Sequence, residues 1–168
     1  MQTGTLVVLG TAACVWGDYY NAQTVGEDVM AINDIGMHFE NTKHWYSNDA
    51  RMLRNWSAAR RPNFTHTPIL HTNDGGSTNQ TQGMIVHSDI VGGNSGINAV
   101  LCGLKLGYDK IIVCGIPLDN SAYYFNPAQY AHYDNDAEIK EWKKRLPMLR
   151  GKVISMSGRT KDVLEADG

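Results

Sequence analysis

The glycine-rich segment Gly92-Gly93-Asn94-Ser95-Gly96 is the best candidate for a ligand site in this sequence. It directly precedes an apolar stretch that is typical of a buried helix, and the N–H groups and dipole at a helix N-terminus favour a phosphate. Ser95 can add a hydroxyl donor. No Gly-Lys-Ser/Thr follows, so the segment is not a P-loop. It predicts phosphate binding by Asn94, Ser95 and Gly96; the alternative is an ordinary turn with an Asn or Ser helix cap.

Two further pairs of residues follow predicted strands. Gly10 and Thr11 come after an apolar strand, but they lack the GxGxxG spacing of a dinucleotide-binding fingerprint. Asn33 and Asp34 end the next strand and can hydrogen-bond a base or a ribose; the alternative is a turn that Asn and Asp favour. Ligands of parallel α/β sheets bind beyond the carboxyl ends of the strands. The positions of these four residues therefore predict that they help to bind a nucleotide.

A long connection at residues 116–134 is rich in aromatic residues. Structureless loops of this length in small domains are usually functional or disordered, and the aromatic content argues against disorder. Tyr123 and Tyr124 can donate phenolic O–H groups to a phosphate or stack on a ring; the alternative is packing at the core or its rim. His132 is a candidate general base, and the alternative is a histidine without a role in the reaction.

The sequence shows no metal signature. The HExxH motif does not occur, and His66 and His71 lie on either side of a proline, so they would face differently on a strand. Asp18, Asp28 and Asp34 fit no calcium loop. We therefore expect no metal and no other cofactor, with a nucleotide or a nucleotide-sugar as the small-molecule partner.

Short apolar strands alternate with helices along the chain. The continuously apolar runs at residues 5–9 and 110–115 are typical of strands buried on both faces, as in a parallel sheet. The proline at position 68 favours an edge strand or the start of a strand. Further strands are predicted at residues 28–33, 44–47, 67–71, 84–87 and 152–156.

Helices are predicted at residues 50–60, 97–106 and 137–146, and a surface loop at residues 74–83. We expect Asp49 to cap the first helix and Gly107 to close the second. Glu141 and Arg145 form an i,i+4 pair on the third. The pattern predicts a single three-layer, Rossmann-like α/β domain with a mostly parallel sheet over residues 1–168.

The composition excludes several protein classes. The chain has 168 residues, 42% of them hydrophobic, which is enough for one domain with a core. A net charge of −2 disfavours a general nucleic-acid coat protein, and no apolar run approaches the roughly 20 residues of a membrane span. The three cysteines form no CxxC pair, which favours a reducing compartment. The first basic residue is Lys43, so we expect no signal peptide and a cytoplasmic protein.

Several motifs stand in an order that is found in one enzyme family. They are Gly10-Thr11-Ala12-Ala13, Ala31-Ile32-Asn33-Asp34, Asn94-Ser95-Gly96-Ile97-Asn98-Ala99 with Leu106-Gly107-Tyr108-Asp109-Lys110-Ile111, Gly115-Ile116-Pro117-Leu118 with Tyr123-Tyr124-Phe125, and Val153-Ile154-Ser155-Met156-Ser157. In these segments the chain resembles the bacterial sialyltransferases that use CMP-sialic acid. The resemblance spans most of the chain and is most specific at residues 94–116.

The resemblance implies a metal-independent glycosyltransferase. By carry-over of matching positions, Asn33, Ser95 and Gly96 would contact the nucleotide. Tyr123 or Tyr124 would steady the departing phosphate, and His132 would be the base. The leading hypothesis is therefore a glycosyltransferase with a CMP-sugar-like donor. A non-catalytic nucleotide sensor or sequestering module, and a structural or assembly protein on the same fold, stay as alternatives, and a homo-oligomer stays open.

Overall fold

The computed structural model describes residues 4–24, 26–124 and 135–166. It contains a single seven-stranded sheet in the described ranges, in the order β5-β4-β3-β2-β1-β6-β7, and every neighbouring pair is parallel. The strands are β1 (Thr5–Leu9), β2 (Asp28–Ile32), β3 (His44–Tyr46), β4 (Ile69–Thr72), β5 (Met84–Val86), β6 (Lys110–Cys114) and β7 (Val153–Ser155).

The helices lie between the strands in sequence. They are α1 (Val15–Asn21), a short 3-10 helix (Asn33–Met37), α2 (Ala50–Ala59), α3 (Thr78–Thr81), α4 (Ser95–Lys105), α5 (Asn135–Leu149) and α6 (Gly158–Glu165). None of these described helices has the length and apolar character that crossing a membrane requires.

The central strand β1 has apolar residues at every position after Thr5 because both of its faces are covered. Leu6 and Val8 face a hydrophobic cluster that also takes in α4, α5 and α6, whereas Val7 and Leu9 face a second cluster that includes α1 and α2. All four side chains are fully buried. Two helical layers therefore enclose the sheet, which confirms the prediction of an α/β fold with three layers.

Every strand predicted from the sequence is present, with shifts of one or two residues at the ends. Pro68 precedes β4, and β4 lies inside the sheet between β3 and β5. The proline therefore marks the start of a strand, and the alternative of an edge strand was wrong. Asp49 caps α2 as predicted, since its Oδ1 accepts a hydrogen bond of 2.9 Å from the backbone N–H of Met52. Gly107 follows α4 with a φ of 94°, which confirms it as the closing residue.

Three α-helices and the 3-10 helix escaped the sequence analysis. Helix α3 has four polar residues and falls inside the predicted loop 74–83, so that prediction was wrong for this stretch. Helices α1 and α6 have no side-chain hydrogen bond at the N-cap and are only seven and eight residues long. Short helices without strong caps depend on tertiary packing, here the burial of Val15 and Val163, rather than on local sequence signals.

The 3-10 helix after β2 is held by a close contact with β3. The indole N–H of Trp45 donates a hydrogen bond to the backbone carbonyl of Asn33, and the Trp45 ring is fully buried. Gly36 lies directly against this ring, so that a Cβ there would overlap the indole. Trp45 therefore fixes the backbone that leaves the carboxyl end of β2.

We predict that Gly36→Ala destabilises the protein by about 1–3 kcal/mol, because the rigid, buried Trp45 ring must move to admit a methyl group. Gly17→Ala is the matched control, since Gly17 is exposed within α1 and no atom lies within 4 Å of the point where its methyl group would stand. That change should stabilise by about 0.5–1 kcal/mol through helix propensity. Urea denaturation measures both free energies, and equal stabilities of the two variants would contradict the described packing.

Candidate functional site

A cleft of about 280 Å³ opens at the carboxyl edge of the sheet. The strand order runs from β1 to β2 on one side and from β1 to β6 on the other, so the order reverses at β1. Ligands of open parallel sheets bind at such a reversal. The cleft is lined by Gly10, Thr11, Ala12, Ile32, Asn33, Asn48, Asn94, Ser95, Gly96, Gly115, Ile116, Pro117, Leu118, Asp119, Ser121, Ala122, Tyr123 and Asn135.

Two glycines form the junction between β1 and β6 below the cleft. The N–H of Gly10 donates to the carbonyl of Cys114 at 2.8 Å, and the N–H of Ala12 donates to the carbonyl of Gly115 at 3.1 Å. A Cβ at Gly10 would overlap the Gly115 carbonyl. Gly115 itself has a φ of 72°, a conformation that favours glycine. A side chain at Gly10 would therefore push the two strand ends apart, and one at Gly115 would overlap Val15 of α1.

Asn33 enters the cleft from the end of β2 in a left-handed conformation, with a φ of 52°. Asparagine tolerates this region better than most residues, and residues held there often mark functional sites. Ser47 donates its Oγ–H to Asn33 Oδ1 at 2.9 Å. This bond assigns the oxygen end of the amide, so the NH₂ end is the group that can donate to a ligand.

An amide network joins the end of β3 to the start of α4. The backbone N–H of Asn48 donates to Ser95 Oγ at 3.1 Å, and Asn48 Nδ2 donates to the carbonyl of Gly93 at 3.2 Å. The buried Asn98 donates from Nδ2 to Asn48 Oδ1 at 3.0 Å. Because Ser95 Oγ accepts in this network, its own hydroxyl proton can be donated to a ligand.

The N-terminus of α4 is capped by the chain itself. Asn94 Oδ1 accepts hydrogen bonds from the N–H groups of Gly96 at 2.9 Å and Ile97 at 3.2 Å. The N–H of Asn94 donates to Glu138 Oε2 at 3.3 Å. These N–H groups are the ones that a phosphate would use at a helix N-terminus, and protein acceptors already occupy them. At Asn94 the structure has the ordinary helix cap that the sequence analysis kept as the alternative.

The described lining of the cleft combines amide and hydroxyl groups with apolar side chains and is nearly uncharged. Asp119 is its one carboxylate, and no lysine, arginine or histidine is among the described lining residues. Asp119 Oδ1 accepts from the N–H of Ser121 at 2.8 Å, and its backbone carbonyl accepts from Asn135 Nδ2 at 3.1 Å. Amide and hydroxyl groups suit recognition by hydrogen bonds, as for a nucleoside base, a ribose or a sugar.

Comparisons with known proteins place this geometry in context. No family model matches the sequence, and no curated protein matches it significantly. The sialyltransferase CST-II in complex with a trisaccharide acceptor and CMP has a TM-score of 0.73 over 96% of this chain and 85% of its own, at 12% identity. The chain has a sialyltransferase fold. CstII from Campylobacter jejuni, in complex with a substrate analogue, cytidine 5′-monophosphate, has a TM-score of 0.66 over 92% of this chain and 80% of its own, again at 12% identity.

The sialyltransferase-like fold confirms the resemblance that the sequence motifs indicated, and at this identity the likeness concerns the fold alone. The cleft brings together most of the residues singled out from the sequence. Those that line it are Gly10, Thr11, Asn33, Asn94, Ser95, Gly96 and Tyr123. Their contact with a nucleotide stays a prediction.

Two of the singled-out residues are not among the cleft-lining residues, and one lies outside the described ranges. Asp34 is half-buried in the 3-10 helix, where burial raises the pKa of its carboxyl group. Tyr124 packs edge-on against Trp16, with ring centroids 5.2 Å apart, so the packing alternative describes it. His132 belongs to residues 125–134, which are outside the described residues.

Asn48, Asp119, Ser121 and Asn135 also line the cleft; the first two follow predicted strands, whereas Ser121 and Asn135 were not singled out from the sequence. Asn48 follows β3 closely, much as Asn33 follows β2, so its position after a strand was an available signal. Asn135 begins α5 and reaches the cleft only through the tertiary fold.

We predict that Asn94→Ala lowers the stability of the protein by about 1 kcal/mol, because the N–H groups of Gly96 and Ile97 lose their shared acceptor. Asn94→Ser should keep most of the stability, since serine caps helices almost as well as asparagine. Chemical denaturation of the two variants measures the difference. A stability of Asn94→Ala equal to that of the wild type would show that this cap contributes nothing.

Proposed function

We propose that this protein is a glycosyltransferase that moves a sugar from a CMP-sugar-like donor to an acceptor hydroxyl. The observation that carries the proposal is the amide- and hydroxyl-lined cleft at the point where the strand order reverses. Structural neighbours with the same fold were solved with CMP, and one of them with a trisaccharide acceptor as well. Amide and hydroxyl groups among apolar side chains suit the base, ribose and sugar of such a donor.

The nucleoside and the phosphate have separate candidate partners in the cleft. The Asn33 and Asn48 amides offer hydrogen bonds to the base and ribose. The hydroxyl groups of Ser95 and Tyr123 and the N-terminal dipole of α4 support the phosphate. The helix contributes through its dipole here, because Asn94 already accepts from the N–H groups of Gly96 and Ile97.

The transfer needs one proton acceptor and stabilisation of one leaving group. His132, which lies three residues before the cleft-lining Asn135 in sequence, takes the proton of the acceptor hydroxyl. The acceptor oxygen forms a bond to the anomeric carbon of the sugar, and the bond from that carbon to the phosphate oxygen breaks. The nucleotide leaves with the electron pair, and the Tyr123 hydroxyl donates a hydrogen bond to its phosphate.

The proposed transfer uses no metal ion in the cleft. In the proposal the hydroxyl groups of Ser95 and Tyr123 and the dipole of α4 stabilise the leaving phosphate in place of a divalent ion. Asp119 is the one carboxylate of the described lining, and one of its oxygens accepts from Ser121. Donor turnover should accordingly stay the same when Mg²⁺ or Mn²⁺ is added.

A non-catalytic nucleotide-binding module is the second candidate function. The observation that favours it is the scarcity of ionisable groups in the described cleft, where Asp119 is the one carboxylate. Such a protein keeps the hydrogen-bonding groups that bind a nucleotide and lacks a base. The third candidate, an assembly protein, has less support because the cleft is open and not filled by side chains.

We predict that Asn33→Gly weakens binding of CMP by up to about tenfold, the loss of one hydrogen bond, with at most a small change in stability, since relief of the left-handed strain offsets the lost hydrogen bond from Ser47. Glycine removes the amide but accepts the left-handed backbone at this position. Gln23→Gly is the matched control, since Gln23 also has a left-handed φ, 50°, and does not line the cleft. Titration calorimetry with CMP, UMP and ADP measures the affinities.

Unchanged CMP affinity in Asn33→Gly would remove this residue from the binding site. No binding of any of the three nucleotides to the wild type would overturn the nucleotide-binding proposal as a whole. Weaker binding in both Asn33→Gly and Gln23→Gly would point to a general effect of backbone relaxation.

We predict that His132→Ala reduces sugar transfer by at least about 10²-fold while CMP affinity stays nearly the same, since loss of a general base costs about 10²–10⁴ in rate. His66→Ala is the control, because His66 is an exposed histidine that does not line the cleft. Rate and affinity are measured by product formation and calorimetry. Equal rates in wild type and His132→Ala would exclude this base, and tight CMP binding without any turnover would favour the binding module.

A further inference from the structure

Three histidines lie next to one another inside the sheet, outside the lining of the cleft. His44 is on β3, His71 is on β4 and His87 directly follows β5. Their exposed fractions are 2%, 0% and 4%. Buried imidazoles need partners for both ring nitrogens, so the hydrogen bonds of this row determine which ring nitrogens carry protons.

The row continues into a chain of hydrogen bonds in which every donor points toward Asp28. The Tyr108 hydroxyl donates to Asp28 Oδ2 at 2.7 Å, and a carboxylate, here paired with Lys43, can only accept. The Tyr108 oxygen therefore accepts from His44 Nε2 at 3.0 Å. His44 Nδ1 then accepts from His71 Nε2 at 2.9 Å.

This direction leaves a lone pair on Nδ1 of His71. Both imidazoles are neutral, because each ring is almost fully buried and burial disfavours the charged imidazolium. A neutral imidazole carries one ring proton, and in His71 that proton is on Nε2, which faces His44. The free lone pair of His71 faces away from His44, toward His87.

Three atoms that can act as metal ligands lie close together at this position. His71 Nδ1 is 3.0 Å from His87 Nε2, and Cys102 Sγ on α4 is 3.3 Å from the same nitrogen. All three donor atoms lie within 4.8 Å of one another. Cys102 is fully buried, and its partners come from β4 and the turn after β5, which are distant from α4 in sequence.

We propose that His71, His87 and Cys102 form a binding site for a thiophilic d¹⁰ cation, Zn²⁺ or Cu⁺. Imidazole nitrogen and thiolate sulfur are ligands that both ions prefer. With bonds of about 2.0–2.1 Å to nitrogen and about 2.3 Å to sulfur, tetrahedral ligand atoms are roughly 3.4–3.6 Å apart. The observed separations of 3.0 and 3.3 Å need to open by a few tenths of an ångström, and His71 Nδ1 and Cys102 Sγ, which lie within 4.8 Å of each other, need to come to about 3.5 Å.

His44, Tyr108 and Asp28 supply the hydrogen bonds that orient a ligating histidine. Histidine ligands usually donate their second ring N–H to a carboxylate, a carbonyl or water, which fixes the tautomer. His71 donates to His44, and the chain continues through Tyr108 to the carboxylate of Asp28. The tautomer of His71 is therefore set before an ion arrives.

Binding of the ion releases one proton, moves another, and changes no oxidation state. The Cys102 thiol loses its proton to solvent and binds as thiolate. His87 moves its ring proton from Nε2 to Nδ1, so that Nε2 can bind the ion in place of the hydrogen bond to His71. The thiolate leaves a neutral centre with Cu⁺ and a single positive charge with Zn²⁺. The ion then joins β4 and the turn after β5 to α4.

The test is metal binding by the full-length protein after removal of metals with a chelator. All samples carry Cys14→Ser, which removes the more exposed thiol. Zn²⁺, Cu⁺ under anaerobic reducing conditions, and Co²⁺ as a spectroscopic probe are added separately. We expect one equivalent of Zn²⁺ or Cu⁺ to be retained after gel filtration, a thiolate charge-transfer band with Co²⁺, and a higher unfolding temperature with the retained ion.

Cys102→Ala should weaken binding of the retained ion at least about 100-fold and abolish the Co²⁺ band. Cys114→Ala is the matched control, since Cys114 is equally buried but lies in the cluster on the opposite face of the sheet. Tyr108→Phe, which breaks the supporting chain without touching the ligands, should weaken binding by about 10–100-fold.

Circular dichroism of the metal-free variants shows whether each one folds, and Cys102→Ser offers a second thiol-free variant of nearly the same size.

Retention of either ion that depends on Cys102 supports the site, and competition between the two ions identifies the one it prefers. Retention of neither ion by the Cys14→Ser parent protein overturns the proposal, and the three histidines then form a hydrogen-bonded row without a metal site. Equal affinity in the folded parent, Cys102→Ala and Cys102→Ser also overturns it, since the ion would then lie elsewhere. None of these outcomes depends on nucleotide binding or sugar transfer.

Discussion

The contact between the ends of β1 and β6 is the constraint on which the rest of this structure depends. The sheet grows in opposite directions from this pair, so the two strand ends must touch while a cleft opens above them. Both requirements are satisfied because Gly10 and Gly115 have no side chains. The buried Asp18 completes the junction, because its Oδ2 accepts from the Gly115 N–H at 2.9 Å and from the Ser157 hydroxyl at 2.6 Å. One carboxylate thereby joins α1, β6 and the start of α6.

The cleft above this junction is shaped by backbone conformation and neutral amides instead of charge. Asn33 and Leu118 both line it with left-handed φ angles, of 52° and 50°. Conformations of this kind persist only where the surroundings hold them, as Trp45 and Ser47 hold Asn33. Sites built in this way differ from glycine-rich phosphate loops, because at Asn94 a side chain occupies the donors that such loops offer to the ligand.

The sequence predicted the sheet well because fully buried parallel strands are continuous apolar runs, and it predicted the sheet edge where a ligand would bind. It did not predict contacts that only the fold creates. The packing of Tyr124 on Trp16 and the reach of Asn135 into the cleft both depend on distant segments. The histidine–cysteine cluster escaped for the same reason: its members are 16 and 15 residues apart, which matches no metal motif.

Helix α4 connects the cleft with the buried cluster. Ser95, Asn98 and Cys102 are spaced three and then four residues apart, so they lie on one face of the helix. Ser95 lines the cleft, Asn98 donates to Asn48, and Cys102 contacts His87 about 10 Å further along the axis. A rigid helix held at both ends of one face has a fixed rotation and register against the sheet. The same helix face therefore carries one residue of the cleft and one ligand of the proposed cation site, about two helical turns apart.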